Sequence, residues 1–183
     1  MNPILLFFLL SLSIQIIPRP STLHVAAADI VIHTCKQAAA GNRELDFNTC
    51  LSVFNSTSES RRADLKGLAI ISIRFTKHYA QQLLADIDNL IKQEPKNTFK
   101  RKCLSTCEEI YSDAVSNLEE AVEAVESGRI NDARIELSAS FDAADTCEEC
   151  FPDGQIQSPL TKEDDYYTGV ARVSLAVAAL LDQ

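Results

Sequence analysis

Six cysteines constrain the fold of this 183-residue chain more than any other feature. They form one spaced pair and two close doublets, namely Cys35 and Cys50, Cys103 and Cys107, and Cys147 and Cys150. Residues three or four apart on a helix lie on the same face, about one turn from each other. The doublets therefore predict either helices that are crosslinked side by side or a metal site built from two helices.

An apolar segment precedes the cysteines. Residues 4–17 are almost unbroken apolar, and prolines and then small residues follow them. A span of about fourteen residues is too short for a membrane helix and is typical of a secretory signal peptide. We predict cleavage near Ala27, so that residues 1–27 form the signal peptide and residues 28–183 form the mature domain.

The chain is acidic. It has 17 Lys and Arg against 26 Asp and Glu, and residues 1–27 contain one Arg and no acid, so the mature domain has 16 against 26, a net charge of −10. Such a domain repels nucleic acid and anionic lipid headgroups, and neither nucleic acid nor a membrane is expected as a partner. In a secreted chain, Asn55-Ser56-Thr57 is an acceptor for N-linked sugar at Asn55.

The mature chain has the periodicity of helices. From Leu104 to Val125 the apolar residues alternate in steps of three and four, which predicts a seam that packs on partner helices. Pro95 ends an earlier helix that begins near Leu65, and a third helix is expected to run from Ile130 to Cys147. Predicted capping residues are Asn97 or Thr98 for the second helix, Asn131 or Asp132 for the third, and Thr161, with Asp164 three residues on, for the fourth.

Four such helices joined by short turns predict an all-α fold, an up-down-up-down four-helix bundle at residues 61–183. Residues 28–60 are expected to form a short α-hairpin in front of the bundle. This hairpin is too short to bury a core of its own. A bridge between Cys35 and Cys50, closing about fifteen residues, would stabilise it by about 3 kcal/mol.

The doublets fit antiparallel helices. In that arrangement Cys107 can pair with Cys147 and Cys103 with Cys150, like two rungs of a ladder. Crossed pairing of Cys103 with Cys147 is also open but would shift the helices by a turn. A tetrathiolate zinc site is the competing interpretation, and an oxidising compartment argues against it, so we expect disulfides and neither metal nor cofactor.

No catalytic residue is predicted. The mature chain has two histidines, His33 and His78, and lacks the motifs of serine hydrolases, phosphate loops and zinc peptidases. Acidic neighbours such as Asp86 and Asp88 do not face each other across a substrate, and they are typical of a hydrated helix face. The chain is therefore not expected to be an enzyme.

Five short motifs occur in order along the mature chain. They are Thr34-Cys35 with Cys50, Cys107-x3-Tyr111-x-Asp113-Ala114, Leu137-Ser138-Ala139, Asp145-Thr146-Cys147-Glu148 with Phe151, and Ser158-Pro159-Leu160-Thr161. In this order they resemble the plant invertase and pectin methylesterase inhibitor family. Residues 28–31 and 63–68 look closest to the branch that includes a pollen allergen of plane trees.

This resemblance implies a four-helix bundle with a protruding hairpin and the bridges Cys35–Cys50 and Cys107–Cys147. It also implies a protein secreted to the cell wall (apoplast) or to the vacuole that sterically blocks pectin methylesterase or acid invertase in a 1:1 complex. A bridge between Cys103 and Cys150 departs from the four-cysteine pattern of the family and follows from spacing alone.

The resemblance suggests two binding surfaces. Invertase-inhibiting members insert a Pro-Lys-Phe loop into the sugar-binding cleft, and counting back from Cys147 puts that loop at Arg129, Ile130, Asn131 and Asp132, where the tripeptide is absent. Pro95-Lys96, near Phe99, lies one helix junction too early. Pectin methylesterase inhibitors instead use a polar helix face, for which the candidates are Glu109, Ser112, Asp113, Ser116, Glu120 and Glu123.

An alternative function stays open at this point. Because the Pro-Lys-Phe tripeptide is missing, the chain could be a secreted structural or allergen-like helical protein that keeps the fold and has lost inhibition.

Overall fold

A computed structural model describes residues 22–182, with side chains from residue 30 onward. Eight α-helices follow one another in this part of the chain: α1 Thr22–Gly41, α2 Phe47–Asn55, α3 Leu65–Gln93, α4 Phe99–Glu126, α5 Ile130–Phe141, α6 Ala143–Glu148, α7 Cys150–Asp153 and α8 Thr161–Ala178. Short 3₁₀ helices span Ser58–Arg62 and Ala179–Asp182. The core of the predicted signal peptide lies outside the described residues, and the predicted cleavage point falls within α1.

Helices α1 and α2 form the predicted N-terminal hairpin. The Asp46 carboxylate caps α2 by accepting a hydrogen bond from the Thr49 N–H at 2.7 Å. Since Thr49 donates from its backbone and from its hydroxyl, the pKa of Asp46 is lowered. Cys35 and Cys50 are bonded across the hairpin with an S–S distance of 2.03 Å, which confirms the predicted bridge.

The bundle consists of α3, α4, the segment α5–α7, and α8. Asp64 caps α3 by accepting from the Gly67 N–H at 2.8 Å, and α3 ends before Pro95, as predicted. Thr98 caps α4 by accepting from the Arg101 N–H at 3.2 Å, which is one of the two predicted caps. The four-helix bundle predicted from the sequence is confirmed.

Two other predicted caps are wrong. Helix α5 begins at Ile130, directly after Arg129, so Asn131 and Asp132 lie inside its first turn, where their side chains cannot take the N-cap position. Leu160 holds the N-cap position of α8, and the hydroxyl of Ser158 accepts its N–H at 3.0 Å. Thr161 is therefore the first residue of the helix, and no side chain caps α8.

The third bundle helix is not continuous, in contrast to the prediction. It breaks at Asp142 and again at Glu149, and no side chain caps either break. Pro152 lies within the four-residue helix α7, and because it has no N–H it cannot extend the backbone hydrogen-bond ladder. The segment thus continues past Phe141 as two short helices that run along α4.

Both short helices are bonded to α4. Cys107 pairs with Cys147 at an S–S distance of 2.12 Å, and Cys103 pairs with Cys150 at 2.03 Å. The pairing is the uncrossed ladder, so these sulfur atoms bind one another and not a metal. The described residues contain no free cysteine.

The core lies between the four bundle helices. Each residue of the predicted seam on α4 is buried: Leu104, Cys107, Tyr111, Ala114, Leu118, Ala121 and Val125. Tyr111 meets Tyr167 of α8 edge to face, with ring centroids 5.1 Å apart, and the Tyr167 hydroxyl donates to the carbonyl of Ser140 at 2.8 Å. Within residues 22–182, no helix is both long and apolar enough to span a membrane.

Candidate interaction surface

A polar stripe runs along the outer side of α4. All six residues proposed for a binding face are exposed: Glu109, Ser112, Asp113, Ser116, Glu120 and Glu123. The buried seam of the same helix takes up the opposite side, so the stripe is held in place by the core beneath it. From Glu109 to Glu123 it extends about 21 Å along the helix axis. We call these six residues the α4 face.

Ion pairs occur beside the α4 face but not on it. Lys77 of α3 binds Glu119 with an N–O distance of 3.0 Å, and Arg74 of α3 binds Glu126 at the same distance. In the described part of the chain, the four acids of the α4 face have no ion-pair partner. The cations of α3 thus neutralise one edge of α4, and the face itself keeps a surplus of negative charge.

The turn between α4 and α5 is tight. Gly128 has φ of 75°, a left-handed conformation that side-chain-bearing residues rarely adopt, and it lets the chain reverse directly after α4. Arg129 is exposed and its guanidinium binds the Asp132 carboxylate at 2.7 Å. Asn131 is exposed and Ile130 is half-buried. This site presents the beginning of a helix and an internally paired arginine, where a protruding loop was expected.

The superficially similar Pro95-Lys96 and Phe99 lie at the other end of α4. That end is about 40 Å from the turn at Arg129, given the length of the helix. Phe99 is 43% exposed, and its ring packs directly on the backbone of Gly154, where even a methyl group would lie 2.3 Å from the ring. Phe99 therefore joins the start of α4 to the end of α7, and this contact gives it a structural role.

Ile135 was not predicted to be part of a binding surface. It is 66% exposed, more than the other large apolar residues that the structure describes as exposed. Ile135 lies one turn after Asn131 on α5, so the two side chains project from the same face. The signal was present in the sequence, because Ile135 falls outside the periodic positions Ala133 and Leu137, which are buried.

Nothing in the described residues resembles a catalytic or metal centre. The described side chains, those of residues 30–182, include no group of three or more His, Cys, Asp or Glu that could hold a metal ion. His33 and His78 are both exposed and belong to different helices.

Comparisons with known proteins identify the family. Residues 29–177 match the family described as plant invertase/pectin methylesterase inhibitor. The chain is 32% identical over 158 residues to a Platanus acerifolia protein named "Putative invertase inhibitor", covering 86% of this chain and 88% of that protein. It is 37% identical over 102 residues to the pectinesterase inhibitor of Actinidia deliciosa, covering 56% of this chain and 55% of that protein.

A solved structure has the same fold. The crystal structure of a mutant form of a pectin methylesterase inhibitor from Arabidopsis superposes with a TM-score of 0.64 at 23% identity, covering 80% of this chain and 93% of that one. Both relatives named above carry the names of inhibitors, and neither is named as an enzyme. The chain belongs to the plant invertase/pectin methylesterase inhibitor family.

Proposed function

We propose that this chain is a secreted inhibitor that blocks a plant carbohydrate-active enzyme, with pectin methylesterase as the first candidate target. The α4 face is the observation that carries the proposal. It is a polar, exposed stripe on a long helix, and no other part of the described chain covers it. Inhibition is steric, since a 1:1 complex fills the substrate cleft and requires no chemistry from the inhibitor.

Rigidity supports this role. The α4 face lies on a helix that two disulfides join to α6 and α7, through Cys107–Cys147 and Cys103–Cys150. A surface that is already ordered loses little conformational entropy on binding, which leaves more of the contact energy for affinity. The unpaired acids of the face add electrostatic selectivity and a faster association with a basic surface.

Acid invertase is the second candidate target. The similarity to the Platanus acerifolia protein extends over 86% of this chain, and that protein carries the name of an invertase inhibitor. For this target the contact would be made by Arg129, Ile130 and Asn131 at the start of α5. Against it, the Pro-Lys-Phe tripeptide is absent and the Arg129 guanidinium already binds Asp132.

A parallel titration tests the proposal. The oxidised protein is titrated into pectin methylesterase and into acid invertase, and residual activity is measured as a function of molar ratio. We expect stoichiometric loss of pectin methylesterase activity, ending near one inhibitor per enzyme. Inhibition of invertase alone would replace the first candidate by the second. Inhibition of neither enzyme would favour the structural, allergen-like alternative.

Charge-reversing substitutions test whether the α4 face is the surface that binds pectin methylesterase. Asp113→Arg changes the centre of the α4 face and should weaken inhibition of pectin methylesterase by at least about tenfold, which corresponds to about 1.4 kcal/mol. Arg129→Glu changes the α5 turn and should leave that inhibition nearly unchanged. Asp86→Arg is the matched control, because it makes the same charge change at an exposed position on α3. Equal losses in Asp113→Arg and Asp86→Arg would show that net charge, and not the α4 face, determines the effect.

Export and modification are part of the same proposal. Asn55 is exposed at the end of α2, so a sugar chain attached there would extend into solvent. We propose that the chain is exported to the cell wall or vacuole and carries N-linked sugar at Asn55. A mass decrease after treatment with an N-glycosidase, absent from Asn55→Gln, tests the modification.

A further inference from the structure

A buried carboxyl group occupies the first turn of α8. Asp164 is 2% exposed, although its neighbour Asp165 on the same helix is exposed. One of its oxygens, Oδ1, accepts a hydrogen bond from the Tyr111 hydroxyl of α4 at 2.5 Å. Burial of a carboxylate without a cation is costly, so the protein must either pair the charge or neutralise it.

The other oxygen of Asp164 has no donor. Among the described residues, Asp164 Oδ2 and Glu148 Oε1 are both buried and accept no hydrogen bond from any N–H or O–H group. Glu148 is near enough to raise the pKa of Asp164. Its second oxygen accepts from the hydroxyl of Thr161, three residues before Asp164 on α8, at 3.2 Å. A proton between the two unpartnered oxygens would satisfy both of them.

No cation is available to pair the charge. The titratable groups that face Asp164 are Tyr79 of α3, Tyr111 of α4, Glu148 of α6, and Glu163 on α8 itself. Among the side chains of residues 30–182, no Lys, Arg or His forms a salt bridge with Asp164 or Glu148. Asp164 is thus surrounded by two acids and two phenols, and by no cation.

We propose that Asp164 and Glu148 form a buried proton-binding site that joins α8 to α6 and holds one proton between their carboxyl groups in acidic solution. This inference goes beyond inhibition, since it concerns the folded domain without any target. Loss of the proton places two negative charges next to each other where α8 meets α6, with Asp164 buried and Glu148 half-buried. The contact between the start of α8 and the end of α6 then becomes repulsive and the domain loses stability.

Stability should fall as the pH rises, because the folded chain holds a proton that the unfolded chain has lost. Desolvation, and then the hydrogen bond with Glu148, raise the pKa of Asp164 to about 8 from the ordinary value of 3.8. Between these two values the folded chain binds one proton more than the unfolded chain. The contribution to stability is complete below about pH 4 and is lost as the pH rises toward about 8.

Unfolding experiments across pH test the site. For the full oxidised chain, we expect the unfolding constant to rise by up to about tenfold per pH unit between pH 6 and 8. Asp164→Asn keeps the shape of the acid and can donate to Glu148 without a titrating proton, so its slope should be about one proton smaller. Asp165→Asn, the matched control at the exposed neighbour, should retain the slope.

An infrared measurement on the unmutated protein tests the site without any variant that has to fold. The infrared spectrum of the unmutated protein at pH 6 should show a protonated carboxyl group that exchanges with deuterium and disappears by about pH 9. Glu148→Gln should lose or shift this band. Absence of the band at pH 6, or an Asp164→Asn slope equal to that of the unmutated chain, would overturn the proposal.

Discussion

Replacing Cys103 and Cys150 together by alanine removes one rung of the ladder between α4 and the short helices α6 and α7. In an unconstrained chain, closing the 47 residues that separate them would stabilise the fold by about 4 kcal/mol. The neighbouring rung changes this value. With Cys107–Cys147 intact, the path between the two cysteines shrinks to about eight residues, and the bridge contributes only about 2.5 kcal/mol.

The loop closed by Cys107–Cys147 lies inside the loop closed by Cys103–Cys150. We therefore predict that the stabilising effects of the two bridges are coupled. Removal of either rung alone leaves the other to close the large loop, so each single removal should cost about 2.5 kcal/mol in loop entropy. Removal of both rungs also opens the 40-residue loop of Cys107–Cys147, and the total becomes about 6.4 kcal/mol. The joint removal should therefore exceed the sum of the single removals by about 1.4 kcal/mol.

Equilibrium unfolding in guanidinium chloride, without reductant, measures this coupling. The four proteins of the cycle are the unmutated chain, each double alanine variant, and the variant without either rung. The cost of truncating the buried sulfur atoms appears in the single and joint removals alike and cancels in the coupling. Thermal midpoints should fall by about 2–4 °C for each kcal/mol in a chain of this size.

The hairpin bridge provides the control. Its loop, from Cys35 to Cys50, does not overlap the loops of the ladder, so removal of this bridge should cost about 3 kcal/mol whether or not Cys103–Cys150 is present. Additive costs for the two rungs of the ladder, or a cost of about 4 kcal/mol for Cys103–Cys150 alone, would refute the argument from nested loops.

Two further substitutions test the hydrogen bonds that position the bundle. Asp64→Ala removes the acceptor for the Gly67 N–H at the start of α3 and should lower the free energy of unfolding by about 1 kcal/mol, measured in urea; an unchanged midpoint would show that the cap is dispensable. Thr76→Val keeps the shape of a fully buried side chain but removes the hydroxyl that lies 2.9 Å from Ser174 Oγ, and we expect a loss of about 1–3 kcal/mol. A Thr76→Ser variant should recover most of the second loss, and failure to do so would assign it to packing.

Much of the fold could be predicted because helices are specified locally. The steps of three and four between Leu104 and Val125 identify a buried seam, and Pro95 and Thr98 mark a helix end and a helix start by their own chemistry. The pairing of the cysteine doublets followed from one further assumption, that the second and third helices are antiparallel neighbours.

The wrong predictions concern N-cap residues, because the turn before a helix decides at which residue the helix begins. Asn131 was expected to cap α5, yet the tight turn at Gly128 starts the helix at Ile130 and leaves Asn131 inside it. Thr161 was expected to cap α8, but the helix already includes Thr161, and Leu160 holds the N-cap position without a side-chain cap. Cap preferences specify which residue types suit a helix start, while the path of the incoming chain selects the residue.

The binding surface was predicted in part. The exposure of Asp113 and its neighbours on α4 follows from the helical period. The neutralising pairs Lys77–Glu119 and Arg74–Glu126 do not, because they join residues 42 and 52 positions apart in the chain. Ile135 escaped attention for a related reason. Its position off the helical period predicts exposure, but the packing of the neighbouring helices decides whether the residue is covered.

By itself, the sequence determined an oxidised helical bundle, its disulfide candidates and its family, since periodicity, spacing and motifs are properties of the chain read in order. The tertiary structure alone decided which charges meet. Asp164, expected three residues after the cap of α8, lies buried against Tyr111 and beside Glu148. The energy of a charge depends on its solvent and its partners, and both are set by helices that are distant in the sequence.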